Sequence, residues 1–439
     1  MKLKHCGVSR FKPSVAAAVV IANMVGTGVF TSLGFQLLEI RSPFVLLLLW
    51  AVGGLTALCG ALSYAELGAA LPRSGGEYNF LSRIYHPAAG FISGWVSATV
   101  GFAAPTALAA LTFGSYFSSV FPAMQPVWLA TTLIILLTAI HCFSHRSSGG
   151  AQSLLTVLKL LLIIGFSILA LLLADNPEPV SFLPATGDAA LVSSGAFAVA
   201  LIYVSYAYSG WNAATYISGE LEHPQSSMPR VLVGFTALVC LSYLVVIYVF
   251  LYTTPMDAMA GKVEFGFVAA GYIFGEMGAQ VMGMLLALLL ISTVSAMILA
   301  GPRVLHVIGQ DFALFRRLAR ENKDGIPVTA ILLQSSIALV FLWSASFESI
   351  LVLSGATMGL NTFFTVLGLF VLRWRQPQLP RPYRTWLYPL PPLVFLGITS
   401  WTLLYIVAQR PAEALACLAI LVSGGICYRF SVAYGSAKS

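Results

Sequence analysis

One stretch limits what this chain can become. From residue 13 to residue 38 there is no charged side chain, and the apolar run from Ala16 to Ile21 leads into Met24-Val25-Gly26-Thr27-Gly28-Val29-Phe30. A helix of about 20 mostly apolar residues spans a bilayer. Two glycines around a threonine in its middle work against that helix. Lipid gives a freed backbone no water to bond, so a broken helix at membrane depth persists only where it faces protein or a water-filled cavity. The break therefore predicts a cavity. Composition predicts many more such segments: 58% of residues are hydrophobic and 9% charged, against about 25% charged in a soluble domain. The expected class is an all-α polytopic membrane protein.

Twelve runs are long enough to span. They cover about 13–38, 43–69, 88–121, 126–143, 151–174, 190–218, 230–254, 278–308, 327–345, 348–372, 386–408 and 411–430. Loops between them are short, so residues 1–439 are expected to form a single membrane domain. Twelve spans put both termini on one side. Nearly all of the 23 lysines and arginines fall in the segments on that side; only Arg41, Lys262 and Arg410 fall on the other, and Lys159 lies within a span. Cytoplasmic segments collect Lys and Arg, so both termini are expected in the cytoplasm, with the chain in the plasma membrane (the inner membrane in a bacterium). The same rule accounts for the net charge of +7 without a nucleic-acid partner; the partner surface is membrane lipid. The basic segment 309–326, with Phe312, Leu314, Phe315 and Leu318, reads as an amphipathic helix at the inner interface. The acidic outer segment 175–189 carries Asp175, Glu178 and Asp188. No cleavable leader is expected, because the first run is too long. Cys6, Cys59, Cys142, Cys240, Cys417 and Cys427 show no metal-ligand spacing, and neither a disulfide framework nor a metal or other cofactor is expected.

A second run shares the defect of the first. Around Tyr206-Ala207-Tyr208-Ser209-Gly210-Trp211-Asn212 the sixth span is interrupted by Ser209-Gly210. Five spans begin at the first broken helix and five more at the sixth. Broken helices at matching positions of two halves point to an inverted-repeat transporter and to its binding site. The repeats are expected at 13–174 and 190–372, with two additional helices over 386–430. A helix restarted at mid-membrane offers unpaired amides and about half a positive charge at its N-terminal end, and unpaired carbonyls at the end before the break. Amides near Gly26, Thr27 and Gly28, with the Thr27 hydroxyl, suit a carboxylate. Carbonyls near Met24 and Tyr206 suit an ammonium group. A site offering both fits a zwitterionic amino acid.

Three motifs then resemble those of the amino acid–polyamine–organocation superfamily. Val25-Gly26-Thr27-Gly28-Val29-Phe30 resembles its Gly-Ser-Gly-Ile-Phe motif, with Thr in place of Ser. Tyr64-Ala65-Glu66-Leu67-Gly68, running into Leu71-Pro72-Arg73-Ser74-Gly75-Gly76-Glu77-Tyr78, resembles the signature between its second and third helices. Tyr206 to Asn212, followed by Glu220-Leu221-Glu222-His223-Pro224, is similar to the sixth helix of the L-type amino acid transporters, which usually reads Phe-Ala-Tyr-Gly-Gly-Trp-Asn. The resemblance implies a LeuT-like 5+5 inverted repeat plus two C-terminal helices. It implies substrate contacts at Met24, Val25, Gly26, Thr27, Gly28, Tyr206, Ala207, Ser209 and Asn212, with Tyr206 as an aromatic gate. Tyr206 in place of Phe adds a hydroxyl, and Ser209 in place of Gly restricts the backbone.

Lys159 is the one charge inside a span. At a helix centre it costs about 2.5–3.5 kcal/mol on insertion scales, so such a residue faces the bundle interior or water; a lysine near the inner end can also snorkel to the interface. In proteins of the resembled family a lysine here stands where sodium-coupled relatives hold Na⁺, between helices one, five and eight, which implies sodium-independent transport. Ser292, Thr293 and Ser295 are candidates to line that pocket, although such hydroxyls often bond their own helix. Glu66 and Arg73 are expected to pair at the cytoplasmic gate, and Tyr203, Tyr208 and Trp211 to serve packing.

An intramembrane enzyme would need a nucleophile with its base, paired aspartates or a metal motif, and the spans hold none of these, so no catalytic residue is assigned. An anionic or cationic substrate side chain would call for an opposite charge near mid-span. Lys159 is already assigned, so the expected substrate is a neutral amino acid, moved as an exchanger or a proton symporter. The alternatives are an amino acid sensor on a transporter fold, and a carrier of polyamines or other amines. Animal L-type transporters bond a glycoprotein subunit through a cysteine between spans three and four. Phe121-Pro122-Ala123-Met124-Gln125-Pro126 has none, so no disulfide-linked heavy subunit is expected.

Overall fold

The computed structural model describes residues 12–143, 149–174 and 177–436. Asp175 and Cys6 lie outside them, as do Lys2, Lys4, Arg10, Arg146 and Lys438, five of the 23 lysines and arginines. Among the described residues the chain is helical and forms no strand. The first run is two helices, α1 (Pro13–Met24) and α2 (Gly28–Gln36). α3 (Pro43–Ala70), α4 (Glu77–Ile84) and α5 (Pro87–Val96) follow. α5 continues through a π-helical turn, Ser97–Gly101, into α6 (Ala103–Val120). α7 (Pro126–Phe143), α8 (Gly149–Leu173) and the short α9 (Asp188–Val192) precede α10 (Gly195–Ala207). A 3-10 helix, Ala213–Glu220, leads to α11 (Pro224–Thr253), α12 (Met256–Met259) and α13 (Phe265–Asp311). After a second 3-10 helix, Ala313–Ala319, come α14 (Val328–Ser344), α15 (Phe347–Arg375), α16 (Leu390–Gln409) and α17 (Pro411–Ser436).

Local chemistry sets many of these starts. Pro13, Pro43, Pro87, Pro126, Pro224 and Pro411 each open a helix, where the missing N–H costs nothing. Ser42, Ser194 and Ser346 cap α3, α10 and α15 by accepting from Val45, Phe197 and Ser349 amides at 3.1–3.3 Å. Among the described residues nine helices are long and apolar enough to cross a membrane, and three shorter apolar helices, Val157–Leu173, Gly195–Ala207 and Val328–Ser344, accompany them.

Two expectations about elements need correction. The sixth run is not one helix interrupted: α9 stands apart, α10 ends at Ala207, and the chain resumes as a 3-10 rather than an α-helix. The segment after α13 is a seven-residue 3-10 turn rather than an amphipathic helix lying on lipid. It docks on protein, with Phe312 and Phe315 against Phe91 (ring centroids 4.7 and 5.8 Å). In α13 the backbone turns at Gly275 (φ 71°, ψ −172°), so residues 265–274 are a separate leg before the expected eighth span.

α1 packs against α11 and α8, α2 against α10, and α6 along α13. α10 is wrapped by α3, α15 and α16. The broken helices thus sit at the centre, with α3, α6, α11, α13 and α15 around them.

Candidate functional site

The two interruptions touch. α1 stops where Val25 leaves the helical region (φ −78°, ψ 73°), and α2 restarts at Gly28. α10 stops at Ala207, and the chain turns through Gly210 at φ 100°. Gly28 lies flat against Ala207: a Cβ on it would be 2.3 Å from the Ala207 Cα. Gly210 lies against Asn23, where a Cβ would be 2.7 Å from the carbonyl carbon. Only glycine allows this approach at either place.

The backbone groups freed at the crossing are partly spoken for. The Gly26 amide donates to the Met24 carbonyl at 2.8 Å. Tyr243, buried on α11, donates its hydroxyl to the same carbonyl at 2.6 Å. Both lone pairs of the Met24 oxygen are therefore engaged. The Tyr206 carbonyl accepts from the Ser209 amide at 2.9 Å, with the Tyr208 amide also directed at it. Thr27 and Gly28 stand at the start of α2, where amides have no partner within the helix. The Thr27 hydroxyl lies 3.4 Å from the Tyr206 hydroxyl, a loose contact. Of the expected set, Met24, Gly26, Thr27, Gly28, Tyr206, Ala207, Ser209 and Asn212 all line one cavity of about 850 Å³. Val25 does not; it faces Lys159 instead.

Lys159 is buried, and its Nζ donates to Thr293 Oγ1 at 2.7 Å. It shares a small pocket with Val25, Gly26, Phe30 and Thr293. It points into the bundle and does not snorkel. Of its three hydroxyl candidates only Thr293 reaches it: Ser292 bonds the Leu289 carbonyl of its own helix at 2.7 Å, and Ser295 meets His141 Nε2 at 2.8 Å.

Asn212 does more than line the cavity. Its amide nitrogen donates to Glu77 Oε1, which also accepts from the Tyr64 hydroxyl at 3.0 Å. Glu77 is fully buried and ties the segment after the second break to α4. In sequence Glu77 is only one member of the motif at 71–78, with Arg73 and Arg83 close by, so its pairing with Asn212 is visible only in the fold. Tyr243 carries no signal in sequence either, since one tyrosine in an apolar run looks like packing. Tyr208 and Trp211 do pack, with Tyr208 against Trp50 and Tyr243 and Trp211 against Tyr64. Tyr203 does not merely pack: its hydroxyl donates to Glu348 at 2.7 Å.

Among the described residues the cavity lining extends toward one end of the bundle. There its walls include Ser74, Gly75, Glu220, Arg303 and Glu321. At the other end Phe35 of α2 stacks on Phe347 of α15 (5.5 Å between centroids, 9° between planes). Beside them Glu348 accepts from both Tyr203 and Arg410. The expected ion pair of Glu66 with Arg73 is not formed. Glu66, fully buried, takes Arg373 through both oxygens (2.9 and 2.6 Å), with Arg381 at 3.4 Å and the Thr385 amide and hydroxyl at 2.7 and 2.8 Å. Arg73 instead lies 3.8 Å from Asp311. Both are arginines, so position decides: the fold lays Arg373 along the carboxylate in a two-bond arrangement beside the Thr385 donors.

Residues 11–423 match the family described as amino acid permease. Large neutral amino acids transporter small subunit 2 of Mus musculus is 28% identical over 422 residues, covering 93% of this chain and 78% of that protein. The protein of the same description in Homo sapiens gives the same identity and coverage. The b(0,+)-type amino acid transporter 1 of Mus musculus is 26% identical over 429 residues, covering 95% of this chain and 86% of that protein.

Proposed function

This chain belongs to the amino acid permease family and is a multi-pass membrane protein that transports amino acids; from that premise we propose that it moves neutral amino acids, without sodium, by alternating access. The observation that carries the proposal is the contact of the two helix breaks inside the cavity. Thr27 and Gly28, at the start of α2, and Tyr206, at the end of α10, line the same cavity, and a helix start beside a helix end suits the two charges of an amino acid backbone. The Met24 carbonyl joins them only if the substrate amine displaces the Tyr243 hydroxyl. The charged groups on the cavity wall, such as Arg303, Glu220 and Glu321, stand at its mouth rather than at the breaks. That favours a neutral side chain over an ionic one, and over a polyamine. The word neutral in the first relatives' name accords with this. Lys159, bonded to Thr293 beside Val25 and Gly26, holds a fixed positive charge where a coupling cation would otherwise brace the first helix.

The finer architecture belongs to the same proposal. Counting the three shorter apolar helices with the nine longer ones gives twelve spans. They are arranged as a LeuT-like pair of five-helix repeats, 13–174 and 190–372, with the helices of 386–430 added. Both termini are cytoplasmic and the membrane is the plasma membrane, so the open cavity faces the cytoplasm. The chain acts without a disulfide-linked heavy subunit, since the turn after α6 offers no cysteine.

Uptake of labelled neutral amino acids into proteoliposomes in sodium-free buffer is the test. Uptake is expected; a strict requirement for sodium overturns the Lys159 assignment. Uptake only into vesicles preloaded with amino acid identifies exchange, and uptake driven by a pH gradient alone identifies proton symport.

A further inference from the structure

The cavity is larger than an amino acid backbone needs: about 850 Å³ lies in the range of pockets that take drug-sized ligands. Part of the surplus is bounded by α16, a helix outside the two proposed repeats. Ile398, Thr399, Thr402 and Leu403 line the cavity there, facing Gly359 and Thr362 of α15. The opposite face of α16 carries the exposed Leu393, Leu404 and Val407, so the cavity side is an interior wall.

Hydroxyls on this wall divide into two sets. Thr56, Thr362 and Thr402 donate to the carbonyls of Val52, Met358 and Ile398 at 2.8–3.0 Å. That is the common habit of threonine in an apolar helix, and it leaves these hydroxyls already paired. Ser205 in the last turn of α10, Ser209 in the turn that follows it, and Thr399 of α16 make no side-chain hydrogen bond among the described residues, and all three line the cavity. Within an interior, hydroxyl groups are nearly always bonded. Three that line one cavity and make no bond among the described residues are free to bond a ligand there. No charged side chain of α3, α10, α15 or α16 lines the cavity.

We propose that this wall is the side-chain subsite for the substrate. It takes neutral side chains longer than alanine's that carry a hydrogen-bonding group, such as a carboxamide, and Thr399 is a specificity-determining residue. The inference rests on the reading that the helix breaks hold the amino acid backbone. The apolar Ile398 and Leu403 of the wall accept the chain's methylenes, while Ser205, Ser209 and Thr399 pair its polar end.

The test is uptake of alanine, leucine and glutamine by the full chain in proteoliposomes, read as kcat/KM ratios. Thr399→Val keeps the shape and removes the hydroxyl. It is expected to lower the glutamine-to-leucine ratio roughly three- to tenfold, the worth of one neutral hydrogen bond. Thr399→Phe fills the wall and is expected to lower both leucine and glutamine relative to alanine. Unchanged ratios in Thr399→Val overturn the proposal. So does an equal fall for all three substrates, and so does a wild-type chain that carries alanine and leucine but not glutamine. A wild-type chain that carries none of the three overturns the transport reading itself. Thr399→Val, being isosteric, keeps the question decidable if Thr399→Phe does not fold.

Discussion

At the scale of single residues, the site depends on what is missing. Gly28 has no side chain because Ala207 occupies the space. Gly28→Ala is expected to force α2 and α10 apart, costing about 1–3 kcal/mol as overpacking does and abolishing uptake. Thermal unfolding and transport assays on the same preparation check both parts. Lys159 presents the converse case, a charge that must be present. Lys159→Met leaves the Thr293 hydroxyl without its donor and removes the positive charge beside Val25 and Gly26. Transport is expected to fall at least tenfold in sodium-free buffer, while the Thr293→Val variant, which removes only the acceptor, falls less. Both positions were legible in the sequence for one reason. A glycine pair or a lone lysine inside an apolar run is locally expensive, and local expense is visible without a fold. Tyr243 was not legible, because nothing in its neighbourhood records that its hydroxyl meets the Met24 carbonyl 219 residues away.

At the scale of elements, the C-terminal end of α3 is fixed by a charge cluster that sequence proximity misassigns. Glu66 has a nearer arginine at Arg73, but it binds Arg373 and Arg381 of α15 and the loop beyond it. Arg373 also stacks over Tyr388, 3.6 Å from the ring centroid. Removing one member of a buried pair costs about 3–5 kcal/mol; Arg373 is about a quarter exposed, which moves Glu66→Ala toward the lower end. Arg73→Ala breaks only a half-exposed 3.8 Å contact and is expected to change stability by less than about 1 kcal/mol. Denaturation midpoints of the two variants in one detergent test the assignment, and equal losses would contradict it. The element boundaries themselves were largely readable from apolar runs and helix-opening prolines. The 3-10 form of the segment after α10 was not, because it follows from tertiary ties: Gly75 and Gly76 donate to the Tyr216 and Thr215 carbonyls, and the Gly219 amide to Ser74.

At the scale of the whole molecule, one end is open and the other is shut by a few contacts among α2, α10, α15 and the turn before α17. Phe35 on Phe347 supplies apolar area, and Glu348 gathers Tyr203 and Arg410. Opening that end requires α2 and α10 to leave α15, which breaks the stack and the tyrosine bond. Glu348→Gln with Tyr203→Phe is expected to favour the opposite opening. A cysteine introduced at Ser32, buried behind the closure, should then react faster with a membrane-impermeant thiol reagent added from the Arg410 side; an unchanged rate would show that these contacts do not hold the closure. The three cations left over on the minority side, Arg41, Lys262 and Arg410, all lie at this closed end, beside Asp257, Gly34 and Glu348. Charge counting thus grouped three residues that share one end, while the contacts that close that end needed the fold.

The flush contact of Gly28 on Ala207 and of Gly210 on Asn23 bears on how the machine is counted. Two broken helices suggest two hinges, each with its own angle. Interiors this tightly packed transmit displacement instead of absorbing it. With no atoms between them at either point, α2 cannot tilt toward α10 without pushing it, and the turn at Gly210 cannot shift without moving the end of α1. The pair behaves as a meshed gear with a single degree of freedom, so a substrate that biases one break sets the angle of both.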